Sequence, residues 1–314
     1  MSTMRNEVHV FAPGSVANVA CGFDTLGFAI HRPGDDVIVR FGKTPGLTIT
    51  MITGDNGMLT KEPEKNTAGV AALSLMKHLG IVQGVEMEIH KGIPIGSGMG
   101  SSACSAVAGA LAVNELMGRP LTKQELLPFA LEGEAIASGG DIHADNVGPC
   151  LLGGMVLVRS NKDLDTVNIP VPEDLYCAVV LPDLQILTTD ARNLLRADIP
   201  MKDAITQWGN LGGMVAGLMK SDYELIGRSL EDVVAEPYRS SLIPHFYSVK
   251  QAALQAGALG CSISGAGPAV FALCKGDDTA FKVGVAMQYA FIDQGLDCER
   301  YISPINTHGA QRIK

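Results

Sequence analysis

The sequence predicts an α+β fold in two domains, on three observations. The chain has 314 residues, more than one hydrophobic core normally spans. Its strand-like and helix-like segments mix without the strict alternation that a parallel sheet with crossover helices would impose. A polar connector at residues 160–165 then interrupts the pattern and divides the chain into residues 1–165 and 166–314.

In the first domain strands are expected at 8–11, 36–41, 47–52, 85–90 and 154–159. The fourth is the clearest, because Val85, Met87 and Ile89 alternate with Glu86, Glu88 and His90 at the period of a half-buried strand. Helices are expected at 66–79, 101–117 and 122–137. Thr122 and Glu125 form a capping box for the third, and Gly80 stands where the first should stop. The second domain should carry strands at 166–169 and 176–181, the latter an apolar run suited to a central strand. Helices at 201–219, 221–234 and 246–256 follow, with Ser221 and Glu224 read as another capping box and Gly257 as a stop. Strands at 261–264 and 269–274, then a closing helix and strand, complete it. No internal repeat or low-complexity tract is visible.

Composition bounds the function. A net charge of −9 and the lack of any Lys/Arg cluster argue against a nucleic-acid partner. No apolar run approaches the length of a membrane span, and no basic-then-apolar leader opens the chain, so a soluble, cytoplasmic protein without a membrane partner is expected. Seven scattered cysteines lack metal-binding spacing and read as reduced core thiols.

The most informative segment joins the strand at 85–90 to the helix at 101–117. It reads Ile93-Pro94-Ile95-Gly96-Ser97-Gly98-Met99-Gly100-Ser101-Ser102-Ala103. Three glycines let the backbone approach a ligand, and the amides and dipole of the following helix start favour an anion. Neither the P-loop nor the dinucleotide fingerprint fits, since no Gly-Lys-Ser/Thr follows and Ser101 stands where a third glycine is required. Taken alone, such a loop is equally an ordinary Gly/Ser turn before a helix. Near the N-terminus, the stretch from Ala12 through Asn18 and Asp24 reads as a glycine-rich crossover or as polar groups set on a rigid strand.

Three segments together settle the choice. Pro13-Gly14-Ser15-Val16-Ala17-Asn18, the loop above, and Ser262-Ile263-Ser264-Gly265-Ala266-Gly267-Pro268 resemble the three motifs of the GHMP small-molecule kinases, in the family's order and spacing. Residues 18–24, 143–149, 188–192 and 236–239 make the chain most similar to the branch of that family that phosphorylates L-homoserine. Met99 stands where many members have leucine, a volume-conserving change. The resemblance implies a ribosomal protein S5 domain 2-like N-terminal domain, a ferredoxin-like C-terminal domain, a site between them and a homodimer.

It also implies residue roles. ATP would be held by Pro94, Gly96, Ser97, Gly98, Met99, Gly100, Ser101, Ser102, Ala103 and Cys104, with Mg²⁺ on Ser102 and Glu134, hard oxygen donors of the kind it prefers. Arg192 and Arg239 would take the substrate carboxylate and Asp24 its ammonium. Asn18 and Asn146 would lie near the reacting hydroxyl, with His143, Asp145 and Gly265 completing the pocket and Thr188 facing the phosphate. His143, Asp145 and Asn146 are expected in a short loop after Gly139-Gly140. Asn146 stands where many family members have an aspartate base, so catalysis by positioning is implied. A shikimate or mevalonate kinase, or a silent ligand-binding protein on the same scaffold, are the rivals; the arginine pair disfavours mevalonate, and the intact loop serines and Glu134 speak against decay.

Overall fold

The computed structural model describes residues 6–137 and 143–314. Gly139 and Gly140 lie outside the described residues. The chain opens with β1 (Glu7–Ala17), β2 (Leu26–Gly42), β3 (Leu47–Thr53), α1 (Thr67–His78) and β4 (Gly84–His90). It continues through α2 (Ser101–Leu116), α3 (Lys123–Ala137), α4 (Ala144–Leu152), β5 (Met155–Ser160) and β6 (Asp165–Ile169). The strands form a sheet ordered β1-β2-β4-β3, with β5 on β2 and β6 on β5, antiparallel except for β3 on β4.

Helix α2 lies at the centre of this lobe. Ser102 alone among its residues is not buried, which suits a helix apolar on all sides. Its small residues allow that position: a Cβ on Gly109 would stand 2.4 Å from the Ala68 carbonyl oxygen of α1. Asn66 caps α1 by accepting from the Ala68 and Gly69 amides, and the expected Thr122–Glu125 box forms at 2.7–2.8 Å ahead of α3.

The second lobe contains β7 (Leu175–Pro182), α5 (Thr188–Asn193), α6 (Met201–Lys220), α7 (Tyr223–Ser229), α8 (Glu236–Arg239) and α9 (Phe246–Gln255). It closes with β8 (Gly260–Ile263), β9 (Val270–Lys275), α10 (Asp277–Ile292) and β10 (Cys298–Pro304), and β11 (Gln311–Arg312) returns to pair with β1. The order β10-β7-β9-β8, antiparallel throughout, is the 4-1-3-2 arrangement of a ferredoxin-like βαββαβ unit. Phe28 of β2 meets Phe271 of β9 edge to face at 6.0 Å, so the lobes share packed core.

Several expectations are corrected. The crossover at 12–17 is strand: β1 runs on to Ala17 and absorbs Pro13 and Gly14 at a register shift, where a missing N–H is tolerated. The polar segment at 160–165 turns β5 into β6, and the chain passes between sheets after Ile169. Helix α7 is shorter than the expected 221–234 and is capped by Asp222, because Ser221 is the left-handed residue that ends α6. His143 is the N-cap of α4, which puts Asp145 and Asn146 on a helical turn rather than in a loop. The seven cysteines are free, and Cys298 alone among them is not buried. Among the described residues no helix is long and apolar enough to cross a membrane.

Candidate active site

The loop between β4 and α2 is held open by left-handed backbone. Gly96, Gly98 and Gly100 have φ of +72°, +77° and +70°. Gly98 is needed for space as well, since a Cβ there would lie 2.6 Å from the carbonyl oxygens of Ser264 and Gly267. Both lobes hold the loop. The Ser15 amide donates to Met99 O at 3.1 Å, Ser264 Oγ to Gly98 O at 2.7 Å, and the Ala269 amide to Ser97 O at 3.1 Å. The first-turn amides of α2, which have no partners within the helix, and its dipole make this a seat for an anion.

Beside it Ser102 Oγ donates to Glu134 Oε1 at 2.9 Å. Burial pushes the Glu134 carboxyl up to about 7 despite that bond.

The opposite end is built on the turn after β1. Asn18, Val19 and Ala20 have φ of +69°, +40° and +56°, and Asp24 of +55°. Such consecutive non-glycine residues in left-handed conformation store strain of the kind found at functional sites. Asn18 holds the turn together by donating Nδ2 to Gly265 O at 2.8 Å and accepting the Asp24 amide at 3.0 Å. Arg192 donates both terminal nitrogens to Asp24, each at 3.1 Å, and His143 Nδ1 lies 3.5 Å from the same carboxylate. Arg239 is 3% exposed and donates Nη1 to Gly265 O at 2.9 Å. Burial lowers its pKa, and the neighbouring Arg192 charge adds to that. Burial, then the charge of Asp24, raises the Asp145 carboxyl to about 7.

These groups surround one cavity of about 120 Å³. Its walls include Asn18, Asp24, Gly96, Gly98, Gly100, Ser101, Ser102, Glu134, His143, Asp145, Asn146, Thr188, Arg192, Arg239 and Gly265. Other expected nucleotide-binding residues point elsewhere. Met99, Ala103 and Cys104 are fully buried in the core, and Cys104 Sγ donates to Ala12 O at 2.8 Å. Pro94 and Ser97 line a separate cavity of about 590 Å³ behind the loop. Two residues escaped sequence reasoning. Ser15 donates Oγ to Asn146 Oδ1 at 2.8 Å and so orients that amide. The Phe23 ring lies 5.0 Å from the Arg239 guanidinium and 5.8 Å from that of Arg192, a cation–π support whose only sequence signal was adjacency to Asp24.

An anion seat and an oxygen-donor pair at one end of a cleft, with a carboxylate and two guanidinium groups at the other, fit a small-molecule kinase. The comparisons with known proteins agree. The family models described as GHMP kinases N terminal domain and GHMP kinases C terminal match residues 66–154 and 214–293. The chain is 49% identical to a homoserine kinase of Chlorobium phaeobacteroides, over 96% of this chain and 98% of that one. It is 44% identical to one of Xylella fastidiosa, over 98% and 94%. The crystal structure of homoserine kinase from Cytophaga hutchinsonii superimposes with a TM-score of 0.97 at 50% identity, covering 100% of this chain and 99% of that one. The chain belongs to the GHMP kinase family and, within it, to the homoserine kinases.

Proposed function

We propose that the chain transfers the γ-phosphoryl group of ATP to the side-chain hydroxyl of L-homoserine, giving O-phospho-L-homoserine and ADP, a step towards threonine. The observation that carries this reading is the ion pair between Asp24 and Arg192, with Arg239 beside it, in the same cavity as Gly96, Gly98 and Ser102. Homoserine brings a carboxylate and an ammonium, so it can insert between these groups and exchange one ion pair for two. Arg192 and Arg239 take its carboxylate, Asp24 its ammonium. His143 and Asp145 close that end, while Asn18 and the amide of Asn146 orient the hydroxyl.

Ser102 and Glu134 would hold Mg²⁺. Both are oxygen donors, and a carboxyl raised to about 7 by burial is one that a cation returns to its ionised form. When bound, Mg²⁺ supplies positive charge to the phosphate oxygens. The loop amides and Thr188 bind the transferring group. A loose transition state needs alignment and charge neutralisation more than a strong base, so the hydroxyl proton passes to phosphate or water. The same reading makes the enzyme a cytoplasmic homodimer with small-molecule ligands, and no nucleic acid or membrane among its partners.

The test is ADP release with Mg·ATP and L-homoserine, D-homoserine, L-serine, shikimate or mevalonate, with the phosphorylated product identified by mass. Preference for L-homoserine is expected. Preference for shikimate or mevalonate would overturn the pocket roles, and ATP binding without turnover of any acceptor would overturn catalysis.

A further inference from the structure

Beneath the phosphate-binding loop lies an ion pair that the mechanism above does not use. Asp35, on β2, and Lys91, directly after β4, have side chains 0% and 2% exposed and are in direct contact. A pair so buried costs desolvation that apolar packing of similar volume would avoid, so it is weak evidence for stability. What it supplies is direction.

The contacts converge on both ends of one segment. Asp35 Oδ1 accepts the Gly92 amide at 3.0 Å and the Ile93 amide at 3.3 Å, where the loop leaves β4. Lys91 Nζ donates to Ser101 O at 2.8 Å, where the loop enters α2. Ser105 Oγ accepts from Lys91 at 2.8 Å and donates to Asp35 Oδ2 at 2.7 Å, locking the pair to the second turn of the helix. An ammonium has three donors, and here they go to Asp35, Ser101 and Ser105. Lys91 therefore has none left for a phosphate, although it directly precedes the loop.

We propose that Asp35 and Lys91 are positioning residues for phosphoryl transfer, gripping the two ends of residues 92–101 so that the loop presents its amides to the nucleotide in one geometry. The proposal rests on the kinase reading above. Its chemical content is a division of labour. The glycines let the loop approach the phosphates, and the buried pair fixes where the loop begins and ends. A displacement of about 1 Å at such a distance from the chemistry can cost as much as about 100-fold in rate.

The experiment uses the full-length chain with the double substitution Asp35→Leu and Lys91→Met, which removes the pair without leaving an unpaired buried charge. Three quantities are compared with the unsubstituted chain: KM for Mg·ATP, KM for L-homoserine, and hydrogen exchange of the amides at 92–101. The expected result is a KM for Mg·ATP raised about 10- to 100-fold, a KM for L-homoserine within about twofold, and faster exchange confined to the loop. A folded double variant with unchanged KM for Mg·ATP and unchanged exchange would overturn the proposal, leaving the pair a packing feature. If the double variant does not fold, Ser105→Ala removes one arm of the grip. It should speed exchange in the loop and raise KM for Mg·ATP about threefold, and unchanged exchange would overturn the proposal equally. Failure of the kinase reading is seen separately, as an unsubstituted chain that turns over no acceptor; the exchange measurement on the loop still decides the grip.

Discussion

Asp145→Asn separates the electrostatic strain of the site from its packing. Asp145 is 2% exposed, and burial with the nearby charge of Asp24 raises its carboxyl from 3.8 to about 7. Below 3.8 both folded and unfolded chains hold the proton, and the shift contributes nothing. Between 3.8 and about 7 the unfolded chain ionises while the native one does not, so stability falls as pH rises; above about 7 the loss is complete. Between pH 5 and pH 8 the linkage spans about two pH units, or about 3 kcal/mol. Asparagine keeps the size and an acceptor oxygen for the Asn18 amide but cannot ionise. Urea unfolding of the unliganded chain at pH 5, 6, 7 and 8 should therefore show the variant gaining about 3 kcal/mol on the unsubstituted protein between the two extremes, with equal m-values. Parallel stability curves across that range would refute the reasoning, because they would mean that Asp145 ionises in the native state as it does in the unfolded one.

Two further substitutions test roles at the two ends of the cleft. Arg239→Ala should raise KM for L-homoserine about 10- to 100-fold, from the loss of charge-assisted bonds, while KM for ATP stays within about twofold; steady-state kinetics with each substrate varied checks this, and equal effects on both would remove the carboxylate role. Glu134→Gln should lower kcat about tenfold or more and move the Mg²⁺ concentration for half-maximal rate upward, and an unaltered Mg²⁺ titration would count against metal ligation.

How much of this was legible in the sequence follows from what each signal depends on. The shape of the loop was readable because its determinants are contiguous: Gly96, Gly98 and Gly100 take left-handed backbone ahead of a helix start. Strand β1 was misread beyond Phe11 because Pro13 and Gly14 argue locally against a strand, whereas β2 supplies partners on the other side and the register shift accommodates them. The first turn of α4 was hidden for the same reason. Two glycines precede His143, and the helical state of Asp145 and Asn146 is set by packing rather than propensity. The pair of Asp35 and Lys91 joins positions 56 residues apart and leaves no local trace.

Some residues of the expected nucleotide motif lie away from the cavity that holds Ser102 and Glu134. Pro94 to Cys104 is continuous as text, but from Ser101 onward it is a helix, whose successive side chains turn by about 100°. Ser102 faces the cavity; Ser101 borders it with its hydroxyl turned back to Ile93 O at 2.9 Å, and Ala103 and Cys104 lie in the core, where Cys104 meets Ala12 of β1. Those two positions are small enough to let α2 lie against the sheet, which aims the first turn of the helix at the cavity. A motif of this kind encodes two things in one string, the groups that touch a ligand and the packing that aims them. Distinguishing them requires the helical phase, and so the fold must be known before a motif residue is assigned a contact.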